Sequence, residues 1–180
     1  ALTYKKPVEV SSQYNDELKK ENAVDGNTNT RWGSKRECDD NWIIVDLQKN
    51  CSIKALNVLW EAACSDEYSI EVSLDKKNWT TIKDKLKSSE SLSDQYLFDD
   101  NVYGRYLKIH STKTRIVNGK NYGISIYELV AYGNEEQEDT NYSNIALNKS
   151  VETSSQYNDE LKKENAVDGN IKTRWGSIRN

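Results

Sequence analysis

One histidine, His110, and three cysteines, Cys38, Cys51 and Cys64, are all the imidazole and thiol groups in this 180-residue chain. Neither Cys-x-x-Cys nor His-Glu-x-x-His occurs, and there is no glycine-rich phosphate loop or Gly-x-Ser-x-Gly elbow. A nucleophile, histidine and acid triad would rest entirely on His110, which sits among Leu107 and Ile109 and reads as a surface or edge residue of a strand. Two carboxylates alone can hydrolyse a glycosidic bond, and with 29 Asp and Glu residues that chemistry stays open. The segment Asp25-Gly26-Asn27-Thr28-Asn29-Thr30 offers something different. Calcium takes about six to eight oxygens from a backbone that can curl around it. Asp25 supplies a carboxylate, Gly26 permits an unusual φ, and Thr30 offers a hydroxyl and a carbonyl oxygen. The same residues could also form an ordinary turn. Glu128 favours the cation, because it interrupts an otherwise apolar strand pattern, where a buried charge needs a partner.

The elements that must hold these residues are strands. Tyr68, Ile70 and Val72 alternate with Ser69, Glu71 and Ser73, and Leu107 and Ile109 alternate with Lys108 and His110. Ile53 to Trp60 and Ile124 to Glu128 read the same way, and Trp42-Ile43-Ile44-Val45 suits a central strand. Ser73 to Trp79 reads as a turn, and Glu17 to Ala23 as a turn or two of helix. Trp60 and Trp79 continue the buried faces of their strands and are expected in the core, with Trp32 packing a sandwich end. Short strands between polar loops predict an all-β antiparallel sandwich. A net charge of −4 argues against a phosphate-tracking nucleic-acid binder. The longest apolar run, Trp42 to Val45, is far short of the ~20 residues that span a bilayer, so no membrane insertion is expected. Ala1 leads directly into Tyr4-Lys5-Lys6-Pro7 without a hydrophobic signal segment, and the expectation is a soluble piece of something longer.

Self-comparison shows how the chain is organised. Val8 to Arg36 recurs 143 positions later as Val151 to Arg179, with 25 of 29 residues identical. Gly133 to Thr140 between the copies is mostly acidic and free of apolar side chains. The expected organisation is one complete module over 1–133, an acidic linker over 134–144, and the truncated opening of a second tandem copy over 145–180. Without its remaining strands, the second copy cannot bury a core of its own.

The strings Ala23-Val24-Asp25-Gly26-Asn27, Thr30-Arg31-Trp32-Gly33-Ser34, Trp42 to Leu47, Tyr68 to Ser73, Gly104 to Ile109 and Tyr122 to Leu129, closed by Tyr132-Gly133, resemble the discoidin or coagulation factor V/VIII C-type domain. Within that family the chain looks most like the family 32 carbohydrate-binding modules of secreted bacterial glycoside hydrolases of the clostridial type. The resemblance implies an eight-stranded jelly-roll sandwich with ligand loops at one end and a structural calcium ion. It adds the carbonyls of Asn22, Asn27 and Tyr127 and the Glu128 carboxylate to Asp25 and Thr30 as calcium ligands. It also implies a non-catalytic, secreted or cell-surface module, covalently linked to catalytic and sister modules, whose partner is carbohydrate. A protein-adhesion module on the same sandwich is the alternative.

Sugars are recognised by aromatic faces that cover C–H surfaces and by charged or amide groups that read hydroxyls. At the implied ligand end stand Tyr14, Arg31 through Arg36, Glu61, and Asn118 to Tyr122. Tyr14 and Tyr122 are the stacking candidates, and Arg31, Arg36, Glu61 and Asn121 the polar readers, although Arg31 could equally brace the calcium loop. Trp60-Glu61-Ala62-Ala63 resembles a subset of the family whose equivalent glutamate contacts ligand. Galactose-binding relatives often carry a histidine shortly after the Thr-Arg-Trp position, where this chain has Gly33 and Ser34. That shifts the expectation toward terminal N-acetylglucosamine or another hexosamine, with N-acetylgalactosamine and galactose behind. Three cysteines leave at least one unpaired in the chain. A bridge between Cys38 and Cys64 would preorganise the ligand rim, and three small buried thiols are the alternative.

Overall fold

The computed structural model describes residues 1–99, 102–136 and 144–178, and the chain divides into two compact units, Ala1–Glu136 and Gln137–Asn180. In the first unit the strands are β1 (Val8–Val10), β2 (Trp32–Gly33), β3 (Asn41–Trp60), β4 (Ser65–Ser73), β5 (Thr80–Leu86), β6 (Ser93–Leu97), β7 (Tyr103–Thr114), β8 (Ile116–Val117), β9 (Lys120–Asn121) and β10 (Ser125–Glu135). Among the described residues, eight of them form one antiparallel system, and β8 and β9 form a separate hairpin.

The long strand β3 belongs to both layers of a sandwich. Its first half, Asn41 to Asp46, pairs with β7, and residues 43–45 also pair with β1. Its second half pairs with β10 on one side and β6 on the other. One layer therefore runs β1, β3, β7, β4, β5 and the other β2, β10, β3, β6. The break between the halves lies between Asp46 and Cys51, where the register shifts and Gln48 takes φ 69°. Asp46 pins this corner by accepting Gln48 N at 2.7 Å and both Arg105 Nε and Nη2, at 2.8 and 2.9 Å. Between the layers Ile43, Val45, Leu56, Val58, Ile70, Leu107, Ile109, Ile126 and Leu129 pack as one core, as the period-two pattern requires.

Asp94 on β6 is a buried charge with a full set of donors. It accepts Trp60 Nε1 at 2.8 Å, Tyr68 OH at 2.7 Å and Ser89 N at 2.9 Å. Trp60 and Tyr68 meet edge to face with centroids 5.2 Å apart, so a strand of each layer is tied to one carboxylate.

Four expectations need correction. The helical piece is a 3-10 turn over Lys20–Val24 rather than over Glu17 to Ala23. Trp79 is only half-buried; it follows the turn after β4 and takes the Lys108 ammonium on its face, 4.4 Å from the ring centre. Of the two places expected for His110, the edge fails, because β7 is flanked by β3 and β4; the side chain is partly exposed, with its Nε2 2.8 Å from Asp40 Oδ1. Strand β10 also continues past 133, with Asn134 opposite Ser52 and Glu135 opposite Cys51, so residues 134–136 belong to the first unit. Of the proposed linker, residues 137–143 lie outside the described residues.

The second unit, taken alone, repeats the local hydrogen bonds of Val8 to Arg36 without the strands. Trp175 Nε1 donates to Ser155 O at 3.1 Å as Trp32 Nε1 does to Ser12 O at 3.0 Å. Asn165 Nδ2 donates to Glu160 O and Arg174 O, as Asn22 Nδ2 does to Glu17 O and Arg31 O. Burial is not repeated. Ala23, Val24 and Trp32 are buried, whereas Ala166 is exposed and Val167 and Trp175 are half-buried.

Asp94→Ala would leave the buried Trp60 Nε1–H without its acceptor and Tyr68 OH with Tyr96 OH as its remaining partner. It is expected to lower unfolding free energy by about 2–4 kcal/mol in urea titration, with Asp94→Asn losing less.

Candidate functional site

Loops from four parts of the chain meet at one end of the sandwich around a cleft of about 270 Å³. Tyr14, Arg31, Arg36, Glu61 and Tyr122 line it, with Leu18, Ala62, Ala63 and Val117 supplying apolar surface. The Arg36 guanidinium lies between two aromatic faces, 4.6 Å from the Tyr14 ring centre and 5.1 Å from that of Tyr122. Arg31 lies 5.8 Å from the Tyr127 ring centre. Glu61 Oε2 accepts Ala63 N at 2.9 Å, while its backbone N donates to Ser125 O at 3.0 Å. Its second carboxylate oxygen has no partner among the described residues.

Backbone chemistry dictates these positions. Tyr14 N donates to Gly33 O at 2.8 Å and Lys35 N to Ser12 Oγ at 3.0 Å, which laces the first loop to the segment after β2. Asn118 and Gly119 take φ 50° and 74°, the two left-handed residues that a tight β8–β9 hairpin needs, and this Asn-Gly pair is a signal that sequence reading could have used. Gly123, at φ 73°, follows Tyr122; a Cβ there would stand 2.3 Å from Lys35 O and 2.4 Å from Ser34 Oγ.

Asn121 does not line the cleft. Its Oδ1 accepts Gly123 N at 2.8 Å and its Nδ2 donates to Asp39 Oδ1 at 3.1 Å, so the amide is spent on bracing the loop. Nor is there a Cys38–Cys64 bridge. Both are free thiols, with Cys38 Sγ donating to Asp40 O and Cys64 buried, where loss of solvent pushes its thiol up. The rim is tied instead by Asp39, which accepts Thr114 Oγ1, Thr114 N and Asn121 Nδ2. The Thr114 hydroxyl is the main reason its carboxyl sits below the usual range. Sequence reading missed Asp39, since its partners are more than 70 residues away.

The Asp25 loop closes against β10. Gly26 N and Asn27 N both donate to Glu128 Oε1, at 2.7 and 3.0 Å. Thr30 Oγ1 lies 2.7 Å from Asp25 Oδ2 and 2.9 Å from the Asn27 carbonyl. Burial, and then a hydrogen bond with the Asp25 carboxyl, push the Glu128 carboxyl up to about 7. Tyr127 falls in a register shift between Ile126 and Glu128, so its peptide stands outside the regular ladder. Asn22 is buried, with its Nδ2 donating to Glu17 O and Arg31 O. Among the described residues no three His, Cys, Asp or Glu side chains are grouped so as to hold a metal ion by themselves. A cation here would therefore rely on two carboxyls, a hydroxyl and backbone oxygens, a donor set that suits a hard ion such as calcium.

A two-layer antiparallel sandwich with a loop-built cleft at one end defines the class. Residues 7–129 match the family model of the F5/8 type C domain, and the chain belongs to that family. Chitosan-binding module 2 of a chitosanase/glucanase from Paenibacillus sp. IK-5, solved with chitotriose, aligns at 29% identity and TM-score 0.68 over 74% of this chain and 100% of that one. Module 1 of the same enzyme aligns at 30% identity and TM-score 0.66, over 73% and 98%. CBM32-3 of a family 31 glycoside hydrolase from Clostridium perfringens aligns at 29% identity and TM-score 0.58, over 70% and 88%. No curated protein matches the chain in sequence.

Gly123→Ala is expected to cost about 2 kcal/mol or more, because the left-handed φ and the crowding at Lys35 O act together. A shifted urea midpoint with an unchanged slope would register this.

Proposed function

We propose that the chain acts as a non-catalytic glycan-binding module that holds a secreted, multimodular glycoside hydrolase near glycans with terminal hexosamine or galactose-type sugars. The observation that carries this is the convergence of Tyr14, Arg31, Arg36, Glu61 and Tyr122 on one cleft, in a fold shared with modules solved as chitosan binders. The exposed part of either tyrosine ring can cover a sugar's C–H face, and the uncommitted Glu61 oxygen can accept a hydroxyl or amide hydrogen. Among the described lining residues Glu61 is the single acid, whereas glycosidases of the common type place two carboxylates across the scissile bond. The place where galactose binders carry histidine is taken by Gly33 and Ser34, and Ser34 Oγ is committed to Ile124 N at 2.9 Å, which supports hexosamine over galactose.

In this reading calcium is structural, held by Asp25, Thr30 and Glu128 with the carbonyls of Asn22, Asn27 and Tyr127. The second copy adds a linked site in the parent protein, and such linkage raises avidity through effective concentration.

Two measurements test the proposal. Calcium at about a hundredfold excess over its Kd should raise Tm by ~5–10 °C, and excess chelator should reverse the shift. An identical melt with and without chelator would rule the ion out. Calorimetric titration with N-acetylglucosamine, N-acetylgalactosamine and galactose should show binding that Glu61→Ala weakens about tenfold or more. Release of reducing sugar by the purified chain would instead make it an enzyme.

A further inference from the structure

The four arginines of the first unit fall into two kinds. Arg105 is neutralised by Asp46, and Arg115 donates from Nε to Asp66 Oδ1 at 2.9 Å and from Nη2 to Ser88 O at 2.5 Å. Arg31 and Arg36 both line the cleft, and neither has a carboxylate partner among the described residues. Arg31 Nε is buried with no hydrogen-bond acceptor. The contacts of both guanidiniums are to ring faces, Tyr127 for Arg31 and Tyr14 and Tyr122 for Arg36. Ring contacts hold a guanidinium without using its N–H donors, which stay free for an oxyanion. Glu61 lines the same cleft, with one of its oxygens already engaged by Ala63 N.

Resting on the glycan-binding reading above, we propose that the sugar taken by this cleft carries an anionic substituent, a carboxylate or a sulfate ester, that seats against Arg31 and Arg36. Glu61 then reads a hydroxyl or amide hydrogen elsewhere on the same ligand. Planar guanidinium donors match the geometry of carboxylate and sulfate oxygens, and both guanidiniums line the cleft without a carboxylate partner among the described residues. A cationic amino sugar would meet two like charges on this side of the cleft. The ligand class therefore differs from the chitosan named for the Paenibacillus modules.

The test is calorimetric titration of the whole chain with three matched sugars: N-acetylglucosamine, its 6-O-sulfate, and an oligosaccharide ending in a uronic acid. At least one anionic sugar should bind about tenfold tighter than the neutral one at low salt, and the advantage should shrink as ionic strength rises. Whichever anionic arm responds identifies sulfate or carboxylate. In Arg36→Gln the ratio of anionic to neutral affinity should collapse toward one, whatever the absolute affinities, and Arg36→Lys should restore part of it; the exposure of Arg36 lets both variants be checked for an unchanged melt. Neutral sugar binding as tightly as both anionic sugars, or a ratio unmoved by Arg36→Gln, overturns the proposal and leaves the glycan reading standing. Failure of all three sugars, and of a broader glycan panel, to bind overturns that reading as well.

Discussion

The carboxyl of Glu128 joins the two ends of the first unit. By accepting the amides of Gly26 and Asn27 it closes a contact across more than 100 residues, between a loop near the start of the chain and the last strand. That loop leads within a few residues to Arg31 and Trp32, so the tie that satisfies a buried acid also sets where one wall of the cleft stands. The second unit supplies the internal contrast. Asp168, Asn170 and Thr173 make the same short hydrogen bonds there, yet the apolar residues around them are far less covered. Local hydrogen bonding shapes the loop, and the partner strand gives it an interior.

Charge in the first unit is divided between structure and cleft. Asp46 with Arg105 holds the corner of β3, Asp94 ties the two layers, and Asp39 braces the rim through Oδ1. Arg31, Arg36 and one oxygen of Glu61 are not used in this way, and they lie together. Polar groups that the fold does not consume are the ones left to recognise something else. The aromatic rings beside Arg36 contact its guanidinium without spending its N–H donors.

Much of this was legible in advance. Alternation at Tyr68 to Ser73 and Leu107 to His110 pointed to strands, and those strands bury the side chains the period assigns inward. The sequence puts Tyr14, Arg31, Arg36, Glu61 and Tyr122 on loops of one end, and these five line one cleft. Asn121 and the cysteines were not legible, and for a common reason. Whether an amide faces a ligand or a turn, and whether two thiols approach each other, depends on the course of loops separated by tens of residues. The strand pattern places Trp79 in the core, but the turn at Asp75 redirects the chain and leaves the indole half outside.

The duplicated segment separates the two levels. Its side-chain to backbone bonds form in both copies, because Asn, Asp, Thr and Gln reach partners only a few residues away and need nothing else. Local chemistry therefore dictated the shape of the loop, the alternation of the strands and the choice of residues at the rim. Burial of Trp32, the raised carboxyl of Glu128 and the assembly of the cleft arose only when β3 bent between two layers and brought distant strands together. Removal of water and the approach of distant donors are properties of a packed whole, and no short stretch of chain contains them.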